Sequence, residues 1–138
     1  NPKLLKQLAK EMVKMIPEDT EILAGLELGG VPLATAISLE VGLPVVFVRK
    51  VKKEYGTQKI AEGVSIEGKR LCIIEDVITT GGQVVKSTEA LRNAGARVDS
   101  VICVIWRGSV QEQSLEKAGI QKLALFDMLE LSTWIELS

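Results

Sequence analysis

The chain has 138 residues, of which 46% are apolar, 25% charged and only 4% aromatic, so it fits one soluble domain with an aliphatic core. Its formal net charge of −1 provides no overall field that would attract nucleic acid or an anionic membrane. Histidine is absent, which excludes Ser-His-Asp hydrolysis and histidine-ligated zinc. With no membrane-length apolar run and no charged-then-apolar leader, we expect a single domain over residues 1–138, in the cytoplasm, without nucleic-acid or membrane partners.

Helical spacing, β-branched runs and glycine or proline stops divide the chain into alternating helices and strands. Asn1 and Pro2 favour a helix start, and Pro17 ends that helix. The later predicted elements are strand 21–26, helix 32–41, strand 44–48, strand 69–77, helix 84–94, strand 98–106, helix 110–118 and strand 123–126. The polar, basic stretch 49–63 is too long for an ordinary connection and is predicted to be a functional loop.

Strands that alternate with single helices are joined by right-handed parallel crossovers. The sequence therefore predicts an α/β fold with a mostly parallel central sheet and helices on both faces. Because ligands bind such sheets at the carboxyl ends of the strands, the residues that follow each strand are the candidate site.

The segment LCIIEDVITTGGQ, residues 71–83, leaves a buried strand and enters a helix. Glu75 and Asp76, here called the acidic pair, are unfavourable at a strand end unless they bind something. Thr79–Gln83, the phosphate turn, offers two hydroxyls and a run of N–H groups at a helix N-terminus, which is suited to a phosphate dianion. Such a turn alone could simply cap a helix, but together with the acidic pair it predicts a sugar-phosphate site. Neither a P-loop nor a dinucleotide fingerprint is present.

Three other strand ends carry candidate residues. Glu27–Pro32, the glycine turn, permits close approach of backbone to an anion, although it could be an ordinary connection. The stretch 49–59 holds five of the seventeen basic residues against one acid, and could be a solvated surface or a loop that closes over a phosphate. Arg107 could pair with a planar carboxylate or be a strand-end arginine bonded to its own chain, and the neighbouring aromatic Trp106 could cover a base.

The acidic pair and phosphate turn are similar to the phosphoribosyl pyrophosphate (PRPP) motif of type I phosphoribosyltransferases, and GLELGGVPLA and RKVKKEYG resemble the orotate branch of that family. The resemblance implies that Lys53, Glu75 and Asp76 are catalytic and that Thr79 and Arg107 bind the base. It assigns PRPP and pyrophosphate to Leu28, Gly29, Arg49, Lys50, Lys53, Tyr55, Glu75, Asp76, Val77, Ile78, Thr79, Thr80, Gly81, Gly82 and Gln83. No counterpart of the family's N-terminal hood is visible in this chain.

The reaction implied by the resemblance is transfer of the 5-phosphoribosyl group from PRPP to orotate. Magnesium would be held through PRPP rather than directly by the protein, and a homodimer with shared active sites is the expected assembly. Two alternatives stay open. A purine or xanthine phosphoribosyltransferase would keep the sugar-phosphate site but change the base pocket, and a regulatory protein would bind PRPP without turnover.

Overall fold

The computed structural model describes residues 1–50, 60–109 and 113–128, in which helices and strands alternate. The elements are α1 (Pro2–Val13), β1 (Ile22–Leu26), α2 (Gly30–Val41), β2 (Val45–Val48), β3 (Ala61–Glu62), β4 (Arg70–Ile78), α3 (Gly82–Asn93), β5 (Arg97–Trp106), α4 (Ser114–Lys117) and β6 (Gln121–Asp127). The strands form a sheet in the order β3-β2-β1-β4-β5-β6. β3 is antiparallel to β2 and the other neighbours are parallel, which confirms the predicted α/β fold.

The order of the strands determines where a ligand can enter. From β1 the chain crosses to β2 on one side, then returns past β1 to β4 and continues to β5 and β6 on the other side. β1 and β4 are therefore neighbours whose outgoing connections run in opposite directions. A crevice opens between the turns at the carboxyl ends of two such strands, and this is where sheets of this type bind ligands.

Helices cover both faces of the sheet, as predicted. Alternate residues of β1 face opposite sides, so Leu23 joins one core cluster while Ile22, Ala24 and Leu26 join the other. All five residues of β1 are buried, which explains its continuous apolar run. The helical contributions are Ala9, Met12, Leu33, Ala34 and Ile37 from α1 and α2 on one face, and Val84, Leu91 and Leu115 from α3 and α4 on the other.

The helix limits differ from the predicted ones in physically simple ways. α1 ends at Val13, and beyond it the N–H groups of Met15 and Ile16 donate to carbonyls three residues back. Pro17 disfavours helical geometry at Ile16, the residue before it, so the helix cannot continue to the proline. α2 begins at Gly30, two residues earlier than predicted. In the part of the chain that the structure describes, none of the helices has the length and apolar character needed to cross a membrane.

Two further differences fall at short elements. β3 was not predicted because two residues are too few to show a strand period, and it lies in the segment predicted to be a loop. α4 covers only Ser114–Lys117 of the predicted helix 110–118, and residues 110–112 lie outside the described residues.

Charged residues at the amino ends of the strands pair with one another. The Nε atom of Arg70 lies 3.1 Å from Asp19, and its Nη1 atom bonds Asp99. Lys69 Nζ lies 3.7 Å from Glu21. These pairs connect the start of β4 to β5 and to the segment before β1, so Arg70 and Lys69 already have carboxylate partners.

Candidate active site

The acidic pair lies where β4 extends beyond β1. Pairing with β1 stops at Ile74, whereas pairing with β5 continues to Ile78. The N–H group of Asp76 donates to Oε1 of Glu75 at 3.0 Å, and the N–H group of Val77 donates to Oδ1 of Asp76 at 2.7 Å. The main chain therefore restrains both carboxyl groups, and the Asp76 carboxylate lies beside Gly29 of the turn after β1.

The two carboxyl groups differ in their surroundings. Glu75 is half-buried and Asp76 is exposed. Desolvation raises the pKa of Glu75 to about 8, although the hydrogen bond from the Asp76 N–H group opposes the shift. Glu75 therefore keeps its proton to a higher pH than an ordinary carboxyl group, and the protonated group can donate as well as accept a hydrogen bond.

The glycine turn lies directly against the end of β4. A Cβ atom on Gly29 would overlap the carboxylate of Asp76, and one on Gly30 would overlap the carbonyl oxygen of Ile74. The Glu27–Leu28 peptide bond is cis. Position 30 therefore needs a residue without a side chain for the turn after β1 to approach β4 this closely, whereas a side chain at position 29 would displace the Asp76 carboxylate.

The phosphate turn presents backbone at the start of α3. Thr79 and Thr80 are exposed, and Gly81 has a φ of 85° and is the N-cap of the helix. The N–H group of Gly82 donates to Oγ1 of Thr80 at 3.2 Å. The side-chain amide of Gln83 donates to Oγ of Ser87 at 3.2 Å, so it lies along the helix. The first-turn N–H groups of α3 have no carbonyl partners within the helix and favour an anion.

The predicted base residues are neighbours on adjacent strands. The N–H group of Arg107 donates to the carbonyl of Ile78 at 2.8 Å, which places Arg107 beside Thr79. The Arg107 side chain is exposed. The expectation that Trp106 could cover a base is wrong, because its side chain is 6% exposed in the core beneath α3 and α4, with Nζ of Lys122 3.8 Å from its ring centroid.

The predicted catalytic loop is described only at its ends. The N–H group of Arg49 donates to the carbonyl of Ile60 at 2.9 Å, and its guanidinium lies 3.1 Å from Glu62. The N–H group of Lys50 donates to Oε2 of Glu27 at 3.0 Å, which connects the loop to the glycine turn. Lys53 and Tyr55 lie outside the described residues, which resume at residue 60.

The structure brings together the described candidate residues from four strand ends, at 28–29, 49–50, 75–83 and 107. Sequence reasoning missed Glu27 and Glu62 as partners of the basic segment. The only signal for Glu27 is its position between β1 and the glycines. Within the described residues, no group of three or more His, Cys, Asp or Glu could hold a metal ion.

Known proteins share this arrangement of segments. The phosphoribosyl transferase domain family matches residues 2–122. The orotate phosphoribosyltransferase of Nocardioides sp. is 50% identical over 131 residues, which cover 95% of this chain and 73% of that protein. The chain belongs to the orotate phosphoribosyltransferase family. Its match to a curated member at this identity confirms the family resemblance seen in the sequence motifs.

Solved members of the family have the same fold. Orotate phosphoribosyltransferase from Aeropyrum pernix superposes with a TM-score of 0.81 at 25% identity, covering 96% of this chain and 76% of that one. The Mycobacterium tuberculosis enzyme in complex with PRPP gives a TM-score of 0.68 at 27% identity, covering 93% of this chain and 74% of that one. These similarities confirm the predicted type I phosphoribosyltransferase fold.

The raised pKa of Glu75 makes stability depend on pH. Its folded pKa of about 8 exceeds the ordinary 4.5, so the protonated carboxyl contributes stability fully below the ordinary value and loses that contribution as pH rises toward 8. The Tm of Glu75→Gln minus that of the native chain should therefore increase between about pH 5 and pH 9. Glu89→Gln, an exposed carboxylate on α3, is the control. If the Tm of Glu75→Gln differed from the native Tm by the same amount at every pH, the raised pKa assigned to Glu75 would be contradicted.

We predict that a methyl group at position 29 weakens the binding of PRPP, because it would displace the Asp76 carboxylate. Gly29 has a φ of −62° and a ψ of −30°, which suit alanine, so Gly29→Ala should fold normally while its Cβ displaces the Asp76 carboxylate. We expect the KM for PRPP to rise at least about tenfold with a Tm close to that of the native chain. Leu39→Ala, 84% exposed on α2, is the control. A native KM for PRPP in Gly29→Ala would show that PRPP binding does not depend on the present location of the Asp76 carboxylate.

Proposed function

We propose that the chain transfers the 5-phosphoribosyl group from PRPP to orotate, giving orotidine 5-phosphate and pyrophosphate for pyrimidine biosynthesis. The observation that carries the proposal is the acidic pair beside an open helix N-terminus at the switch point of the sheet, in a chain 50% identical to an orotate phosphoribosyltransferase. The M. tuberculosis relative binds PRPP in its crystal structure, which supports the same donor for this chain.

Each part of PRPP has a chemically matched group at the site. The ribose hydroxyls bind Glu75 and Asp76, one of which can donate and both of which can accept hydrogen bonds. The 5-phosphate lies in the phosphate turn, where the N–H groups and the dipole of α3 favour an anion. Pyrophosphate lies against the backbone of Leu28 and Gly29, within reach of the basic segment that begins at Arg49.

Catalysis requires no protein nucleophile. As the bond between C1 and pyrophosphate breaks, positive character develops on the ribose and negative charge develops on the leaving group. Arg49, Lys50 and Lys53 neutralise the leaving group, with a hydrogen bond from Tyr55. The Arg49–Glu62 ion pair is half-exposed and contributes little stability, so Arg49 can exchange Glu62 for a phosphate oxygen.

The base is positioned by groups at the ends of β4 and β5. Thr79 contacts the edge of orotate, and the guanidinium of Arg107 pairs with its carboxylate in a bidentate manner. The hydrogen bond between the Arg107 N–H group and Ile78 holds these two positions side by side. Such positioning converts the attack on C1 into an effectively intramolecular step.

The proposal includes Mg²⁺ as cofactor. The carboxylate of Asp76 has oxygen donors of the hard type that suits this ion, but one carboxylate does not form a complete cage. Bound mainly through PRPP oxygens and water, Mg²⁺ would neutralise charge on the pyrophosphate. We also propose a homodimer with shared active sites and a cytoplasmic location, both supported by the family resemblance.

A panel of bases tests the proposal. With PRPP and Mg²⁺, the native chain should form a nucleotide and pyrophosphate from orotate. It should form at least about 100-fold less product from adenine, hypoxanthine or xanthine, because these bases lack the carboxylate and would leave Arg107 unpaired. A preference for a purine would support the purine alternative. PRPP binding without turnover of any base would support the regulatory alternative.

The same assay tests the basic loop. Lys53→Ala should lower turnover of orotate by about 100- to 1000-fold, the usual effect of removing one charge-stabilising donor, while PRPP still binds. Lys52→Ala, the adjacent lysine, is the matched control and should keep native turnover. Unchanged turnover in Lys53→Ala would exclude the role given to this residue.

A further inference from the structure

The phosphate turn is contacted from behind by α4, an element that follows β5. Oγ of Ser114, the first residue of α4, donates to the carbonyl oxygen of Thr80 at 2.6 Å. The two residues are 34 positions apart in sequence. This is a tertiary contact between the short helix and the turn that precedes α3.

A second contact lies at the next residue of the turn. A Cβ atom on Gly81 would come within 3.0 Å of Cγ of Leu115 and 3.2 Å of Oγ of Ser114. Leu115 is 5% exposed and belongs to the core beneath α3. α4 thus lies against both Thr80 and Gly81, while Thr79 and Thr80 are exposed.

The Ser114 hydrogen bond determines which way the Thr80–Gly81 peptide faces. A trans peptide is planar, and its C=O and N–H groups point in opposite directions. With the carbonyl directed at Ser114, the N–H group of Gly81 points away from α4. Gly81 tolerates φ values of either sign, so the glycine itself does not prevent the Thr80–Gly81 peptide from rotating.

We propose that Ser114 is a positioning residue for the 5-phosphate of PRPP. By binding the Thr80 carbonyl, its hydroxyl keeps the Gly81 N–H group directed at the phosphate before PRPP arrives. The inference rests on the proposed function, because it assumes that the phosphate turn binds the 5-phosphate. Ser114 itself does not touch the substrate, and it acts through the orientation of one peptide group.

The 5-phosphate does not change during the reaction, so its contacts stabilise the bound substrate and the transition state equally. Ser114→Ala should therefore raise the KM for PRPP by about 3- to 10-fold, which corresponds to one lost hydrogen bond, with kcat within about twofold of native. Ser114→Thr, which keeps the hydroxyl, should restore the native KM. Lys117→Ala, an exposed residue of the same helix, is the control.

Binding of ribose 5-phosphate and of pyrophosphate, measured by calorimetry, separates positioning from general damage. Ser114→Ala should weaken ribose 5-phosphate about 3- to 10-fold and leave pyrophosphate unchanged. Ser114→Cys, whose thiol is a weaker donor, should bind ribose 5-phosphate with intermediate affinity and provides the measurement if the alanine variant does not fold.

Three results would overturn the inference: an unchanged affinity for ribose 5-phosphate in Ser114→Ala and Ser114→Cys, an equal loss for both ligands, or a threonine variant as impaired as alanine. Failure of the proposed function would look different. The native chain would then form no nucleotide from PRPP, whereas the calorimetric comparison judges Ser114 without any turnover.

Discussion

The close approach between the glycine turn and the end of β4 is the constraint on which the site depends. A side chain at Gly30 would overlap the Ile74 carbonyl, so the two strand ends approach this closely because position 30 has no side chain, and one at Gly29 would displace the Asp76 carboxylate. This contact joins the half of the sheet that carries β2 to the half that carries β5 and β6. The candidate residues from both halves then lie near one crevice, although they are far apart in sequence.

Around this contact, the hydrogen-bonded strands form a rigid frame, and the strand ends and the turns that follow them carry the candidate site residues. β4 is hydrogen-bonded on both sides up to Ile74 and on one side beyond it, so the acidic pair is held by β5 while the side toward β1 is left for a ligand. The same partial burial raises the pKa of Glu75 to about 8. A protonated carboxyl group can donate a hydrogen bond and carries no negative charge. At the opposite edge, Arg70 and Lys69 are already paired with acids.

The sequence was most informative where chemistry and local pattern coincide. The acidic pair and phosphate turn could be predicted because a buried strand, two acids and a threonine-glycine turn are consecutive in the chain. The contacts of Glu27 with Lys50 and of Ser114 with Thr80 span 23 and 34 residues, and no local spacing encodes them. Trp106 was misjudged because a strand-end residue can face either the core or the ligand, and only packing against α3 and α4 decides which.

The central claim is that the turns after β1 and β4 form one site for the sugar phosphate. A crystal structure of the chain with PRPP and Mg²⁺ tests it most directly. The account predicts phosphate oxygens about 3 Å from the N–H groups of Thr79–Gln83, and ribose hydroxyls at the same distance from the carboxyl groups of Glu75 and Asp76. PRPP bound at the amino edge of the sheet, or with its 5-phosphate against the basic segment instead of the phosphate turn, would contradict the account.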